Sequence, residues 1–339
     1  MFRKKDRQEK TPKYQDKESL VQALTAAGIS SDAAQHLAGL GRNSLHLLPI
    51  NQQTNTKRPF SKIGGLPDLP EGMKWPVRPS LPLADAPTGI VAKVLNRLLY
   101  SNPSEEELKY RKEPQPYNFI AQISFEEMAL LDDQSLLLPD AGALYLFYDD
   151  LIQGWGFDPK DAVGFKVIYV PETENLTKAK KPNFFEEVPE YKEVFLEPSL
   201  RFERSRSEGL HFEKLPILET DKEAYIDFDD AIENEMDIGW PETPAHKVRG
   251  WSNNVQSPME EECALVTSGI NCGGPEGYNS PEAKKIMDAP NEWIQLLQID
   301  SDDGAGMMWG DAGMLYLWIK KSDLKKREFE NTWLILQCG

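Results

Sequence analysis

The phrase DAGALYLFYD runs from Asp140 to Asp149, and DAGMLYLWIK, from Asp311 to Lys320, repeats it 171 residues later. Six of the first seven positions agree, and the eighth exchanges Phe147 for Trp318. In each copy the Asp suits the start of a turn, and the Gly suits a positive-φ or closely packed position just ahead of a strand. The residues that follow are apolar or aromatic on both alternations, so the strand has to be covered on both faces.

Other matching blocks surround the phrase in the same order. FIAQIS (Phe119–Ser124) precedes the first copy as QLLQID (Gln295–Asp300) precedes the second. FKVIYV (Phe165–Val170) follows the first as WLILQC (Trp333–Cys338) follows the second, and KIGG at Lys62 faces KVRG at Lys247 upstream. Two copies are too few for a solenoid, and strands apolar on both faces need cover that one short unit cannot supply. The expected fold is therefore α+β and internally duplicated, with a mostly antiparallel sheet core of two pseudo-two-fold-related repeats and peripheral helices.

The rest of the 339-residue chain is organised around this pair. A polar arm is expected to be disordered over residues 1–16, followed by a helical hairpin over 17–50 docked on the body. A single duplicated domain is expected over 51–339, with repeat one at about 58–170, a connector at about 171–245 and repeat two at about 246–339. Within it, six prolines between Arg58 and Pro82 exclude a continuous helix or a central strand. Ile90, Val91, Val94, Leu95, Leu98 and Leu99 line one face of an expected helix. Capping boxes are expected at Ser104, Ser124 and Ser257, and Ser280 opens a helix in the same way. The connector holds 20 acidic against 9 basic side chains, and its VFLEPSLRFER run reads as an edge strand broken by proline.

Composition narrows the function. A net charge of −17 opposes binding to nucleic acid, which requires Lys and Arg to displace counterions, and suits a basic protein partner. No apolar run approaches the roughly 20 residues of a membrane span. The opening MFRKKDRQEK has charge without an apolar stretch behind it, so the cytoplasm is the expected compartment. Cys263, Cys272 and Cys338 lack zinc or redox spacing and are expected as buried free thiols. His36, His46, His211 and His246 form no metal motif, and no nucleophile elbow or phosphate loop is present. In DSDDGAGMMWGD (Asp300–Asp311) the Gly arrives one position early for a calcium loop, and Asp stands where a bidentate Glu belongs. No catalytic residue, metal or cofactor is expected.

Gln122 and Gln298, each on the face of an apolar neighbour, are candidate binding groups because a buried amide must find partners. Trp75 and Trp309 stand beside Gly or Pro in loops, where an exposed indole can floor a cleft. His246, Gln256 and Asp311 complete the candidate set, expected at the seam between the repeats.

GGLPDLP at Gly64, WP at Trp75, FIAQI, LPDAGALYLFYD, LLQID and MMWGDAGMLYLWI together resemble the YwqG family of uncharacterised bacterial proteins over about residues 20–339. The resemblance implies an α+β fold with internal duplication and no assigned reaction. Members encoded near toxin genes imply an immunity-type role. The reading is a non-enzymatic intracellular binding protein, with an enzyme or small-ligand binder using an inter-repeat cleft as the alternative.

Overall fold

The structure is a computed structural model that describes residues 14–50, 60–81, 105–131, 133–184, 188–210, 212–236 and 243–339. Its frame is a ten-stranded sheet in the order β14-β13-β12-β11-β1-β10-β2-β6-β7-β8, with every neighbouring pair antiparallel. The central pair is β1 (Arg42–Ile50) and β10 (Val194–Glu203), aligned from Arg42 opposite Glu203 to Ile50 opposite Phe195. One flank is β2 (Lys62–Ile63), β6 (Asn118–Ser124), β7 (Ala143–Tyr148) and β8 (Phe165–Val170). The other is β11 (Lys247–Arg249), β12 (Trp293–Asp300), β13 (Met314–Lys320) and β14 (Trp333–Gln337).

The repeated phrase supplies β7 and β13, and its apolar character is used as its alternation requires. Leu144, Leu146, Leu315 and Leu317 point into one central core with Leu45, Leu47 and Leu196. Tyr145 and Phe147 point to the opposite face, beneath Leu69, Trp75 and Leu176. Tyr316 and Trp318 do the same on the other flank, beneath Met259, Cys263 and Val266 near helix Glu260–Thr267. The sheet curls until its two outer strands meet through side chains: Phe165 stands edge-on to Trp333 at 6.0 Å, and Tyr169 lies 4.8 Å from Phe329.

The chain after β7 latches this near-closure. Leu336 N–H donates to Trp155 O at 3.0 Å, and Trp333 Nε1 donates to Gly156 O at 2.9 Å. Gly156 has φ +85°, and a Cβ there would lie 2.2 Å from Leu334 O, so only glycine fits. Asp149, the last residue of the first phrase, is buried against Arg78 Nε at 2.5 Å and accepts the Tyr110 hydroxyl at 2.8 Å.

The two flanks also share hydrogen bonds residue by residue. Lys62, Gln122 and Tyr145 are cross-strand neighbours, as are Lys247, Gln298 and Tyr316. Tyr145 donates to Asp68 O at 2.5 Å, and Tyr316 donates to Asn253 O at 2.5 Å. β6 and β12 each carry a register shift three to one residues before the glutamine, between Phe119 and Ala121 and between Gln295 and Leu297.

Several expectations need correction. Arg42–Ile50, grouped by sequence with the helical hairpin, is a strand at the sheet's centre. The helices themselves form at Lys17–Ala26 and Ser31–Gly39, packing with Tyr225 and Phe228 of helix Glu219–Met236. VFLEPSLRFER is likewise central rather than an edge. Its proline is tolerated because the neighbouring strand is short: Leu196 N–H reaches Ser61 O, so position 198 points the same way, past the last β2 pairing. Pro49 obeys the same rule, since Leu47 N–H reaches His246 O and β11 has ended two residues on. Asp16 and Tyr14 are ordered parts of the helical cluster, Asp16 capping Ser19 N–H at 2.8 Å. The helix expected after Ser257 starts at Glu260 without a side-chain cap. The expected helix at Ile90–Leu99, the cap at Ser104, residues 1–13 of the arm and His211 lie outside the described residues.

Beside the short β2 and β11, Gln122 bonds Phe60 O and Asp68 N–H, and Gln298 bonds Ala245 O and Asn253 N–H, so each amide braces its joint. Gln122→Leu and Gln298→Leu each leave backbone groups unpaired, and each is expected to lower stability by about 2–4 kcal/mol in urea unfolding. A loss under about 0.5 kcal/mol for both would contradict the brace.

Candidate functional site

The sequence-nominated glutamines are buried and fully engaged. Gln122 Oε1 accepts Asp68 N–H at 2.7 Å, and its Nε2 donates to Phe60 O at 2.8 Å and Asp68 Oδ2 at 3.2 Å. Gln298 Oε1 accepts Asn253 N–H at 3.0 Å, and its Nε2 donates to Ala245 O at 2.7 Å. Each amide closes the loop that follows its short neighbouring strand, which leaves little polarity for a ligand. Four strands stand between β6 and β12 in the sheet order, so the two glutamines do not share a cleft.

His246 is committed in the same way. Its Nδ1 accepts Asp300 N–H at 3.0 Å, which places the ring proton on Nε2, 3.0 Å from Asp302 Oδ2. A general base needs an open nitrogen near a substrate proton, and this ring has none to offer. Burial works against the Asp302 charge, but the His246 and Ala305 N–H groups hold the carboxyl below its ordinary range. Ser61 Oγ takes the matching role on the other flank, accepting Ser124 N–H at 3.0 Å.

The acidic run beyond Asp300 is a tight hairpin. Asp302 and Met307 exchange both backbone bonds at 2.9 Å. Trp309, expected as an exposed indole, is 0% exposed; its Nε1 donates to Asp300 O at 3.1 Å, and its ring meets Tyr148 and Tyr191 edge-on. The apolar ring outweighs its loop position, because the hairpin folds it back over the core. Gln256 is exposed and donates to Cys338 O at 2.9 Å, and Asp311 is exposed at the chain's C-terminal edge, where its carbonyl accepts Gly339 N–H at 3.2 Å. Among the described residues no group of three or more His, Cys, Asp or Glu is placed to hold a metal ion. The three cysteines are free and buried.

Charged groups that the sequence did not single out are concentrated at the short strands. Lys247 Nζ lies 3.1 and 3.2 Å from the Glu203 carboxylate, which also meets His46 Nε2 at 2.7 Å and Trp251 N–H at 3.0 Å. Burial opposes the Glu203 charge, yet Lys247 and His46 outweigh it and bring the carboxyl down to about 2. Lys62 mirrors this with Asp68 at 3.1 Å and Glu193 at 3.0 Å. The signal was the Lys that opens KIGG and KVRG, whose burial no local pattern reveals.

Trp75, one of the nominated residues, lines a cleft. The cleft measures about 220 Å³ and is bordered by Trp75, Phe119, Phe184, Tyr191, Asn118 and the rim residues Lys181 and Glu190. Trp75 Nε1 donates to Tyr117 O at 2.8 Å, and its ring stands edge-on to Phe184 at 6.0 Å. Asn118, missed by the sequence reading, is 3% exposed. Its Nδ2 donates to Pro189 O at 3.1 Å, while Oδ1 finds no partner among the described residues. An unpaired amide oxygen in such a place costs about 1–3 kcal/mol.

A family model described as a domain of unknown function, DUF1963, matches residues 61–338. The chain belongs to the DUF1963 family. No curated protein matches it. The matched span takes in both flanks, the braces and the Trp75 cleft, while β1 and the hairpin helices precede it. No helix among the described residues is long and apolar enough to cross a membrane.

Two carboxylates give opposite pH signatures. Glu203, depressed from 4.5 to about 2, contributes stability that is present above pH 4.5 and lost as pH falls toward 2. Glu262 is buried with Oε1 unpartnered, and burial pushes it from 4.5 up to about 7, against a weak bond from Tyr278 at 3.3 Å. Its folded form holds a proton the unfolded chain releases, so stability falls between pH 4.5 and 7. Glu262→Gln is expected to raise the unfolding midpoint at pH 8 with little change at pH 4. Glu203→Gln is expected to lower it at pH 7 and to flatten the loss below pH 4.5. Thermal unfolding across pH checks both signs.

Proposed function

We propose that this DUF1963 protein is a non-enzymatic cytoplasmic binding protein that captures a basic protein partner, in the manner of an immunity protein neutralising a toxin. The observation that carries this reading is the outer face of helix Glu219–Met236. Glu219, Glu223, Asp227 and Asp230 recur at helical spacing and are exposed, with Ile226 exposed among them. The inner face is spent on the fold: Tyr225, Phe228 and Ile232 pack on the hairpin helices. Asp221 accepts Ser30 N–H and Oγ–H, both at 2.8 Å, and Asp229 pairs with Arg204. The helix thus separates acids that hold structure from acids that face outward. Lys222 lies on the same face and pairs with Glu219 at 2.8 Å, so Glu223, Asp227 and Asp230 carry the net negative charge beside Ile226, and such a face speeds encounter with an oppositely charged surface.

The same proposal includes internal duplication and, within the family, kinship with YwqG-like proteins. Duplication is supported by the ordered sequence blocks, by the like order of strands about the β1–β10 pair, and by the paired roles of Gln122 with Gln298, Tyr145 with Tyr316 and Ser61 with His246. YwqG-like kinship rests on GGLPDLP, FIAQI and the two DAG phrases.

A second reading, binding of a small group, is favoured by the unpaired Asn118 oxygen beside the Trp75 cleft. The first reading is tested by affinity purification from the native host, using the wild type and a variant with Glu219, Glu223, Asp227 and Asp230 changed to Lys. A basic protein retained by the wild type, lost by the variant, and binding with an on-rate that falls at least tenfold from 50 to 300 mM salt is the expected result. Equal retention by both, or a salt-insensitive on-rate, contradicts it.

A further inference from the structure

The Trp75 cleft has a chemistry of its own, and a ligand assigned to it rests on the small-group reading of this protein. Its volume of about 220 Å³ lies below the ~300 Å³ at which pockets for whole drug-sized ligands begin, so it suits a group of side-chain size. Its walls are the rings of Trp75, Phe119, Phe184 and Tyr191. Asn118 lines the cleft, and its buried Oδ1 is without a partner among the described residues, whereas the Tyr191 hydroxyl meets Asp150. The amide's orientation is set, because a flipped Asn118 would turn its oxygen onto the Pro189 carbonyl that Nδ2 now meets at 3.1 Å. An unpaired acceptor calls for a donor on the ligand.

The amide is not required by the sheet. Counting back four residues from Gln122 and from Gln298, through the register shift each strand carries, places Asn118 level with Ile294. The other flank forms the same ladder with an apolar side chain at that level. The Asn118–Pro189 bond is therefore particular to this flank, and it leaves the amide oxygen over.

Aromatic walls favour a cation, and a flat cation with several N–H donors fits between rings better than a compact, strongly hydrated ammonium. At the rim Glu190 is mostly exposed and pairs with the exposed Lys181, a surface contact that solvent weakens. We propose that the cleft binds a guanidinium group, with an N–H donated to Asn118 Oδ1, the Trp75 and Tyr191 rings beside the cation and Glu190 as its counter-charge. Lys181 opposes the ligand's charge and competes for Glu190. Arginine supplies this chemistry either as the free amino acid or as a side chain within a protein.

Isothermal titration of the full chain tests the proposal with N-acetyl-arginine amide, N-acetyl-lysine amide and N-acetyl-citrulline amide, the last a neutral isostere. The arginine amide is expected to bind at least tenfold more tightly than either control. Asn118→Leu is expected to weaken it at least tenfold, Glu190→Gln severalfold, and Lys181→Ala to tighten it severalfold. The last two changes lie on exposed side chains, so they decide the matter even where Asn118→Leu fails to fold. Free L-arginine and a blocked Ala-Arg-Ala peptide separate the two sources: binding of both points to the free amino acid, binding of the peptide alone to a protein side chain, and either supports a guanidinium site. Equal binding of the citrulline amide, or weaker arginine binding by Lys181→Ala, overturns the guanidinium assignment and leaves a cleft for small groups. No binding of any probe overturns both.

Discussion

The sheet is continuous only because side chains reinforce its two narrowest joints. β2 contributes two residues and β11 three, yet between them they connect the long central pair to both three-stranded outer blocks. A ladder that short supplies few backbone bonds. Gln122 and Gln298 add amide bonds to the loops beyond, Ser61 and His246 each accept a backbone N–H from the next strand, and Lys62 and Lys247 enter carboxylate pairs. The arrangement is interdependent: removing one member of a buried ion pair strands the other charge, at a cost of about 3–5 kcal/mol. It also explains the prolines of the central strands, since positions 49 and 198 lie past the last β11 and β2 pairings, where the ladder asks for no N–H.

This frame consumes most of the polarity that first suggests a site. A histidine beside an aspartate has the components of a catalytic dyad, but both nitrogens of His246 already hold the fold together. The glutamines are in the same position, with both ends of each amide facing backbone. Outside this frame, among the described residues, lie the outward acids of helix Glu219–Met236 and the acceptor beside Trp75.

Much of the sheet was legible in the sequence, and the reasons are local. β7 and β13 are apolar on both alternations, and the repeated order of blocks located their neighbours. β1 was hidden because RNSLHLLPI carries a proline and a half-polar pattern, and its identity as a strand rests on a β10 partner more than 140 residues away. Proline also argued for an edge at β10, and that rule yields where a flanking strand stops short. Gln122 and Gln298 stood out in the sequence as amides needing partners, and His246 as a polar group of the expected seam, but which partner satisfies each is not written there. Trp309 misled because a loop neighbourhood says nothing of a hairpin that turns the ring inward. Asn118, Glu203 and Lys247 left no local mark, since the significance of each depends on elements distant in the chain.

Where the flanks agree, the shared groups serve the frame; where they differ, the difference calls for another cause. The face outside Tyr316 and Trp318 is closed by helices Glu260–Thr267 and Pro281–Met287, with Met259, Cys263 and Ala283 packed against it. The face outside Tyr145 and Phe147 is covered instead by extended chain around Leu69, Trp75 and Leu176, joined by the small pairing of β3 (Asp68–Pro70) with β9 (Leu176–Lys178). Helices tile a sheet face with side chains on a regular spacing, whereas proline-rich extended segments leave gaps between them. The cleft beside Trp75 is such a gap, and Phe119 is the outer-face strand residue among its aromatic walls. Asn118, level with Ile294 of the other flank, gives its amide N–H to the Pro189 carbonyl of that extended chain, and its Oδ1 is the atom left without a partner among the described residues.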